Sequence, residues 1–122
     1  MFINIDLHSG VPVYRQIMDQ VRFMIAAGSL RAGEEIPPIR GLAAALGINP
    51  MTISKAFGFL EMEGLVSRRP GRPLVVSEQS PDSLDSNKRG QLRQALQPCA
   101  AMTRQLGLSA EEAVAEFRSL LN

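Results

Sequence analysis

Apolar side chains return at Ile39, Leu42, Ala43 and Leu46, the i, i+3, i+4, i+7 stripe of a helix with one buried face. Pro37 and Pro38 precede the stripe, where a missing N–H is tolerated, and Gly47 follows it at a position that favours a left-handed backbone. The same spacing restarts at Ile53, Ala56, Phe57 and Leu60, with Asn49 as N-cap, Pro50 at the first helical position and Gly64 as the stop. Ile48 plugs the angle between the two. A pair of short helices joined by a tight glycine turn predicts a helix-turn-helix, with the second helix running from Pro50 to Glu63.

Upstream, Tyr14, Ile17, Met18, Val21, Met24 and Ile25 predict a longer helix from about Val11 to Ala27 that packs beneath the pair; its methionines read as core filler. Ile3 and Ile5 alternate with polar residues, giving a short strand or an arm. Downstream, Leu65-Val66-Ser67 and Leu74-Val75-Val76 flank Pro70-Gly71, a hairpin signal. A hairpin directly behind a helix-turn-helix is a wing. Residues 78–87 are polar and read as a linker between a first domain, 1–77, and a helical tail, 88–122. In the tail Leu92, Ala95, Leu96, Cys99, Met102 (or Thr103) and Leu106 keep helical spacing, and Pro98 is expected to kink or split the run. Gly107 ends it, Ser109 with Glu112 forms a capping box, and Ala113, Val114, Phe117, Leu120 and Leu121 make the apolar face of a last helix. The expected fold is mostly α with a small β-hairpin: a winged helix-turn-helix domain plus a short two-helix C-terminal dimerisation segment.

With its apolar stripe turned inward, the second motif helix shows Met51, Ser54, Lys55 and Gly58, with Thr52 at the exposed first turn. This face is small and polar, which allows close approach to DNA, and free N–H groups at the helix start favour phosphate. Arg68, Arg69 and Arg72 fall at or near the wing tip, where arginines reach backbone or a narrow minor groove.

At this point the run from Val11 to Val76 resembles the DNA-binding domain of the GntR family of bacterial transcription regulators. The marks are Pro12-Val13-Tyr14-Arg15-Gln16-Ile17, Leu30-Arg31-Ala32-Gly33-Glu34, Pro37-Pro38-Ile39-Arg40-Gly41-Leu42-Ala43, and Gly47-Ile48-Asn49-Pro50-Met51-Thr52-Ile53-Ser54-Lys55-Ala56-Phe57 with Leu60-Glu61-Met62-Glu63-Gly64-Leu65-Val66. The Asn-Pro-x-Thr start and the very short C-terminal segment are similar to the YtrA subfamily. The resemblance implies that Arg40 contacts DNA. It places Asn49, Pro50, Thr52, Ser54 and Lys55 on the recognition-helix start, and makes Gly71 the wing-tip glycine. Many relatives carry Gly-x-Gly at the tip; here it is Pro70-Gly71-Arg72-Pro73, then Leu74. The resemblance also implies that the tail dimerises.

Charge and composition narrow the partners. The chain has 122 residues and a formal net charge of +1. Residues 1–77 hold eight Lys/Arg and six Asp/Glu, giving +2, while residues 78–122 hold five and six, giving −1. DNA affinity therefore rests on where each cation sits and less on a global field. Cys99 is the single cysteine, which suits a reducing cytoplasm, and the N-terminus does not read as a signal peptide. No run approaches the length of a membrane span. His8 and Cys99 stand alone, so no metal site, cofactor site or catalytic constellation is expected. Isolated helices as short as those of the tail are marginal in water and need a partner. A second copy is the expected one, meeting along Leu92, Leu96, Cys99, Met102, Leu106, Val114, Phe117, Leu120 and Leu121; packing back in cis is the alternative. The expected function is a dimeric DNA-binding regulator, as a repressor, on a palindromic double-stranded operator. Arg40, Asn49, Pro50, Met51, Thr52, Ser54, Lys55, Arg68, Arg69, Gly71 and Arg72 are its contact residues. A small-molecule effector, not identified by the sequence, would have to fit between tail helices or in the dimer interface. The rival is a winged-helix module for protein contact, without sequence-specific DNA binding.

Overall fold

The computed structural model describes residues 1–122. Its elements run α1 (Val13–Ala27), α2 (Ile39–Leu46), α3 (Pro50–Met62), β1 (Val66–Ser67), β2 (Val75–Val76), α4 (Pro81–Gln105) and α5 (Ala110–Leu121). The chain divides into two units, Met1–Lys88 and Arg89–Asn122.

In the first unit α3 is the centre. It packs against α1, α2 and β1, and Ile53, Ala56, Phe57 and Leu60 on its inner face are fully buried. Ile17 and Val21 of α1, Leu42 of α2 and Val66, Leu74 and Val76 of the hairpin close around them, and Ile36 adds the preceding loop. No polar or charged side chain is buried. All of the polar chemistry of this unit is therefore at its surface. The helix-turn-helix angle is set where Gly47, at φ 67°, reverses the chain and the Ile48 N–H donates to the Ala43 carbonyl at 3.1 Å. This satisfies a carbonyl of the last turn of α2 and tucks Ile48 against the core.

The hairpin pairs Val66 with Val76 and Ser67 with Val75, antiparallel. A third segment joins it: Glu35 bridges Val75, the Ile36 N–H donates to the Leu74 carbonyl at 2.7 Å, and the Val76 N–H to the Glu34 carbonyl at 2.9 Å. Strand β2 is thus bonded on both sides, which gives two-residue strands a stable seat. The Ser67 and Ser77 hydroxyls also meet across the hairpin.

The N-terminal residues form an arm without strand pairing. Ile3 is buried in the core and Ile5 packs on it. Two glutamines one turn apart on α1 bind the arm's backbone as a neighbouring strand would. The Asn4 N–H donates to Gln20 Oε1 at 2.9 Å and the Asp6 N–H to Gln16 Oε1 at 2.8 Å, while the Gln16 amide donates to the Asp6 and Val11 carbonyls, each at 2.8 Å.

Three expectations change. Helix α1 begins at Val13, two residues later than expected, because Pro12 takes the N-cap position. The stretch 78–87, expected as a linker, is helical from Pro81 onward. Ser80 caps it, accepting from the Ser83 N–H at 3.1 Å, and the Asn87 amide donates to the Arg22 carbonyl at 3.1 Å. Pro98 does not split the run, for α4 is one helix from Pro81 to Gln105. Proline removes the donor to the carbonyl four residues back. Nearby, Cys99 Sγ contacts the Ala95 carbonyl at 3.7 Å, and the Thr103 hydroxyl donates to the Cys99 carbonyl at 2.7 Å.

The second unit holds the rest of α4 and α5. Helix α5 opens with the expected capping box: Ser109 Oγ accepts from the Glu112 N–H and Glu112 Oε1 from the Ser109 N–H, both at 3.1 Å. No residue of α4 or α5 is buried. Leu92, Met102, Leu106, Val114, Phe117, Leu120 and Leu121 are all exposed, as is Cys99. No helix is long and apolar enough to cross a membrane.

Candidate nucleic-acid interface

Three parts of the first unit carry the residues singled out for DNA: the starts of α2 and α3, and the tip of the wing. The start of α3 is closed by its own cap. Asn49 Oδ1 accepts from the Met51 N–H at 2.9 Å, and the Thr52 and Ile53 N–H groups turn to the Asn49 carbonyl at 3.0 and 3.4 Å. Pro50 has no N–H at all. The free backbone donors expected here are therefore already engaged, and contacts from this end must come from side chains. Met51, Ser54 and Lys55 are exposed and Thr52 half-buried, all on the surface opposite the core stripe. With its oxygen engaged in the cap, Asn49 keeps its amide N–H groups for another partner.

The start of α2 differs. Pro38 supplies no side-chain cap; the Leu42 N–H turns to the Pro38 carbonyl at 3.0 Å, and the positive end of the helix favours an anion here. Arg40 stands in this first turn, exposed.

At the wing, the Arg72 N–H donates to the Arg69 carbonyl at 3.1 Å. Pro70 and Gly71 occupy the corners, with Gly71 at φ 70°. This is the type II turn, which needs a left-handed residue at its second corner. The turn leaves Arg68, Arg69 and Arg72 exposed. Arg68 Nε lies 3.5 Å from Glu61 Oε1 at the end of α3. Arg40, Lys55, Arg69 and Arg72 make no salt bridge and keep their full charge for an outside partner.

Lys55 is nonetheless held. Its ammonium lies 4.1 Å from the ring centroid of Tyr14 on α1, and that ring packs against Phe59 with centroids 5.7 Å apart. The sequence placed Tyr14 on the core stripe and missed this contact, because nothing local to either residue signals it. A second unforeseen link ties α1 to the end of α3. Arg22 donates to both oxygens of Glu63, at 2.9 and 2.7 Å, and to Asp19 at 2.9 Å. Hydrogen bonds to Glu63, followed by the Glu63 and Asp19 charges, raise the Arg22 guanidinium above its ordinary value against the opposing effect of partial burial.

A helix-turn-helix whose second helix presents a small polar face, followed by a wing carrying arginines, defines the winged helix-turn-helix class of regulators. Residues 13–76 match the family of bacterial regulatory proteins called the gntR family. The chain is 34% identical over 94 residues to the HTH-type transcriptional repressor YtrA of Bacillus subtilis (strain 168), covering 77% of this chain and 72% of that protein. Among solved structures, YtrA from Sulfolobus acidocaldarius, a GntR-family transcription factor, superposes with a TM-score of 0.60 at 35% identity, over 98% of this chain and 96% of the other. The AraR DNA-binding domain in complex with operator ORE1 aligns with a TM-score of 0.53 at 25% identity, over 63% of this chain and 94% of that one. The chain belongs to the GntR family and is similar to its YtrA-type members. It is a transcription regulator with a DNA-binding domain, and not an enzyme.

Proposed function

We propose that this regulator is a repressor that binds a palindromic double-stranded DNA operator as a homodimer. One observation carries the reading. The exposed cations Arg40, Lys55, Arg69 and Arg72 have no carboxylate partner, and they stand in the first turn of α2, on the outer face of α3 and at the wing tip. In this reading α3 enters the major groove, and Thr52, Ser54 and the Asn49 amide meet bases or nearby phosphates. Arg40 reads a base edge, where a guanidinium fits guanine in bidentate fashion, and the wing tip around Gly71 lies at the minor groove. The uncovered apolar residues of α4 and α5 support a second copy as the tail's partner, since a two-fold dimer presents two recognition helices to a palindrome. Residues 1–77 are then the reading head and 88–122 the dimerisation segment. Repression follows from occupying DNA that polymerase needs, and YtrA of Bacillus subtilis is named a repressor.

Nuclease protection of DNA around the protein's own gene, at two salt concentrations, tests this. A protected, roughly palindromic site that weakens with salt is expected. In the same assay Arg40→Ala costs about 1–3 kcal/mol on that site and less on random DNA. Absence of protection at low salt favours a protein-contact module.

A further inference from the structure

We propose that Tyr14 is a positioning residue for DNA binding, holding the Lys55 ammonium at the protein surface without neutralising it. The inference rests on the DNA-binding reading above and names a residue which that reading does not use. Lys55 lies 4.1 Å from the Tyr14 ring centroid and has no acidic partner. Phe59, one turn beyond Lys55 on α3, packs against the same ring, so the platform is set by the packing of α1 on α3.

The choice of partner decides what Lys55 can do. A lysine stem is flexible, and freezing it on a phosphate costs rotamer entropy. A carboxylate would restrain it but would also cancel the charge the phosphate needs. Arg22, locked between Glu63 and Asp19, shows that outcome in the same unit. An aromatic face restrains the ammonium through its quadrupole and leaves the net charge at +1. Lys55 is exposed, which leaves its ammonium accessible to a phosphate.

The test is a double-mutant cycle on the full chain, with binding to the protected DNA fragment read by fluorescence anisotropy. Tyr14→Leu is expected to weaken binding by about two- to fivefold, the size of an exposed cation–π contact. Tyr14→Phe keeps the ring and is expected to bind as the parent does. In the Lys55→Ala background, Tyr14→Leu is expected to cost nothing further. A loss of equal size in that background overturns the proposal, and so does Tyr14→Phe as weak as Tyr14→Leu, which would make the hydroxyl the working group. NMR of the DNA-free protein provides a readout independent of binding. The Lys55 ε-protons should be shifted upfield by the ring in the parent and in Tyr14→Phe. An unshifted parent overturns the proposal even if Tyr14→Leu fails to fold. Parent protein that binds no DNA overturns the DNA-binding reading itself, whereas binding without Tyr14–Lys55 coupling overturns only the positioning role.

Discussion

The wing arginines should not be equivalent, and the difference is measurable as a salt slope. Arg69 and Arg72 flank a Pro-Gly corner and have no carboxylate partner, whereas Arg68 lies 3.5 Å from Glu61. Each phosphate neutralised by a protein cation releases counterions, so log K falls with log[salt] by about 0.9 per contact. If Lys55, Arg69 and Arg72 each meet one phosphate in both copies of a dimer, the parent slope is about −5. Arg69→Ala removes one contact per copy and should flatten the slope by about 1.8, with Arg72→Ala doing the same. Arg68→Ala should flatten it by less than half as much, because that guanidinium is already shared with a carboxylate. Glu61→Gln releases Arg68 and should steepen the slope. Fluorescence anisotropy on one duplex over a series of salt concentrations measures all four variants. If Arg68→Ala flattens the slope as much as Arg69→Ala, the Glu61 contact does not restrain Arg68. If no wing substitution changes the slope, the wing does not touch the phosphate backbone.

Three further outcomes follow from the same geometry. A chain ending at Lys88 retains the whole first unit; it should sediment as a monomer at micromolar concentration and bind the operator more weakly, and a dimer would contradict the role given to the tail. Glu63→Ala removes both hydrogen bonds from Arg22 and should lower stability in urea by about 1–2 kcal/mol, the scale of charged hydrogen bonds at a partly exposed site. The Glu112 carboxyl, held by the Ser109 backbone N–H and then by the Ser109 side chain, lies below its ordinary value of 4.5. Its depressed value means that its contribution to the α5 cap is present above about pH 4.5 and is lost as pH falls through the folded-state value; side-chain NMR titration should give a midpoint below that of the unfolded chain.

Much of the first unit was legible because its signals are local. The stripes of α2 and α3, the Gly47 reversal, the Asn49-Pro50 start and the Pro70-Gly71 turn each lie within a few residues of sequence, and each sits in the structure where its pattern puts it. The α5 capping box is of the same kind. What was missed is mostly non-local. The Glu34–Ile36 segment carries no strand pattern of its own and becomes a strand edge only because β2 lies beside it. Gln16 and Gln20 look like ordinary polar positions of α1 until the arm's backbone is placed against them. Tyr14 under Lys55 and Arg22 on Glu63 join residues about forty apart in the chain. One miss had a readable signal. Ser80-Pro81-Asp82 is a good helix start, an N-cap followed by proline and an acid in the first turn. The polar composition that follows outweighed it, although a helix needs no apolar stripe where it is left exposed. At Pro98 the propensity rule lost to the continuity of α4, and the freed carbonyl lies on an exposed helix.

The central claim is that two copies of the chain, joined through their tails, read one DNA site. Native mass spectrometry of the full chain with the protected duplex measures this directly. Two chains per duplex are predicted, with the two-to-one complex forming even when DNA is in excess. A complex that stops at one chain per duplex, or no complex on that sequence beyond what a scrambled duplex gives, would contradict the account.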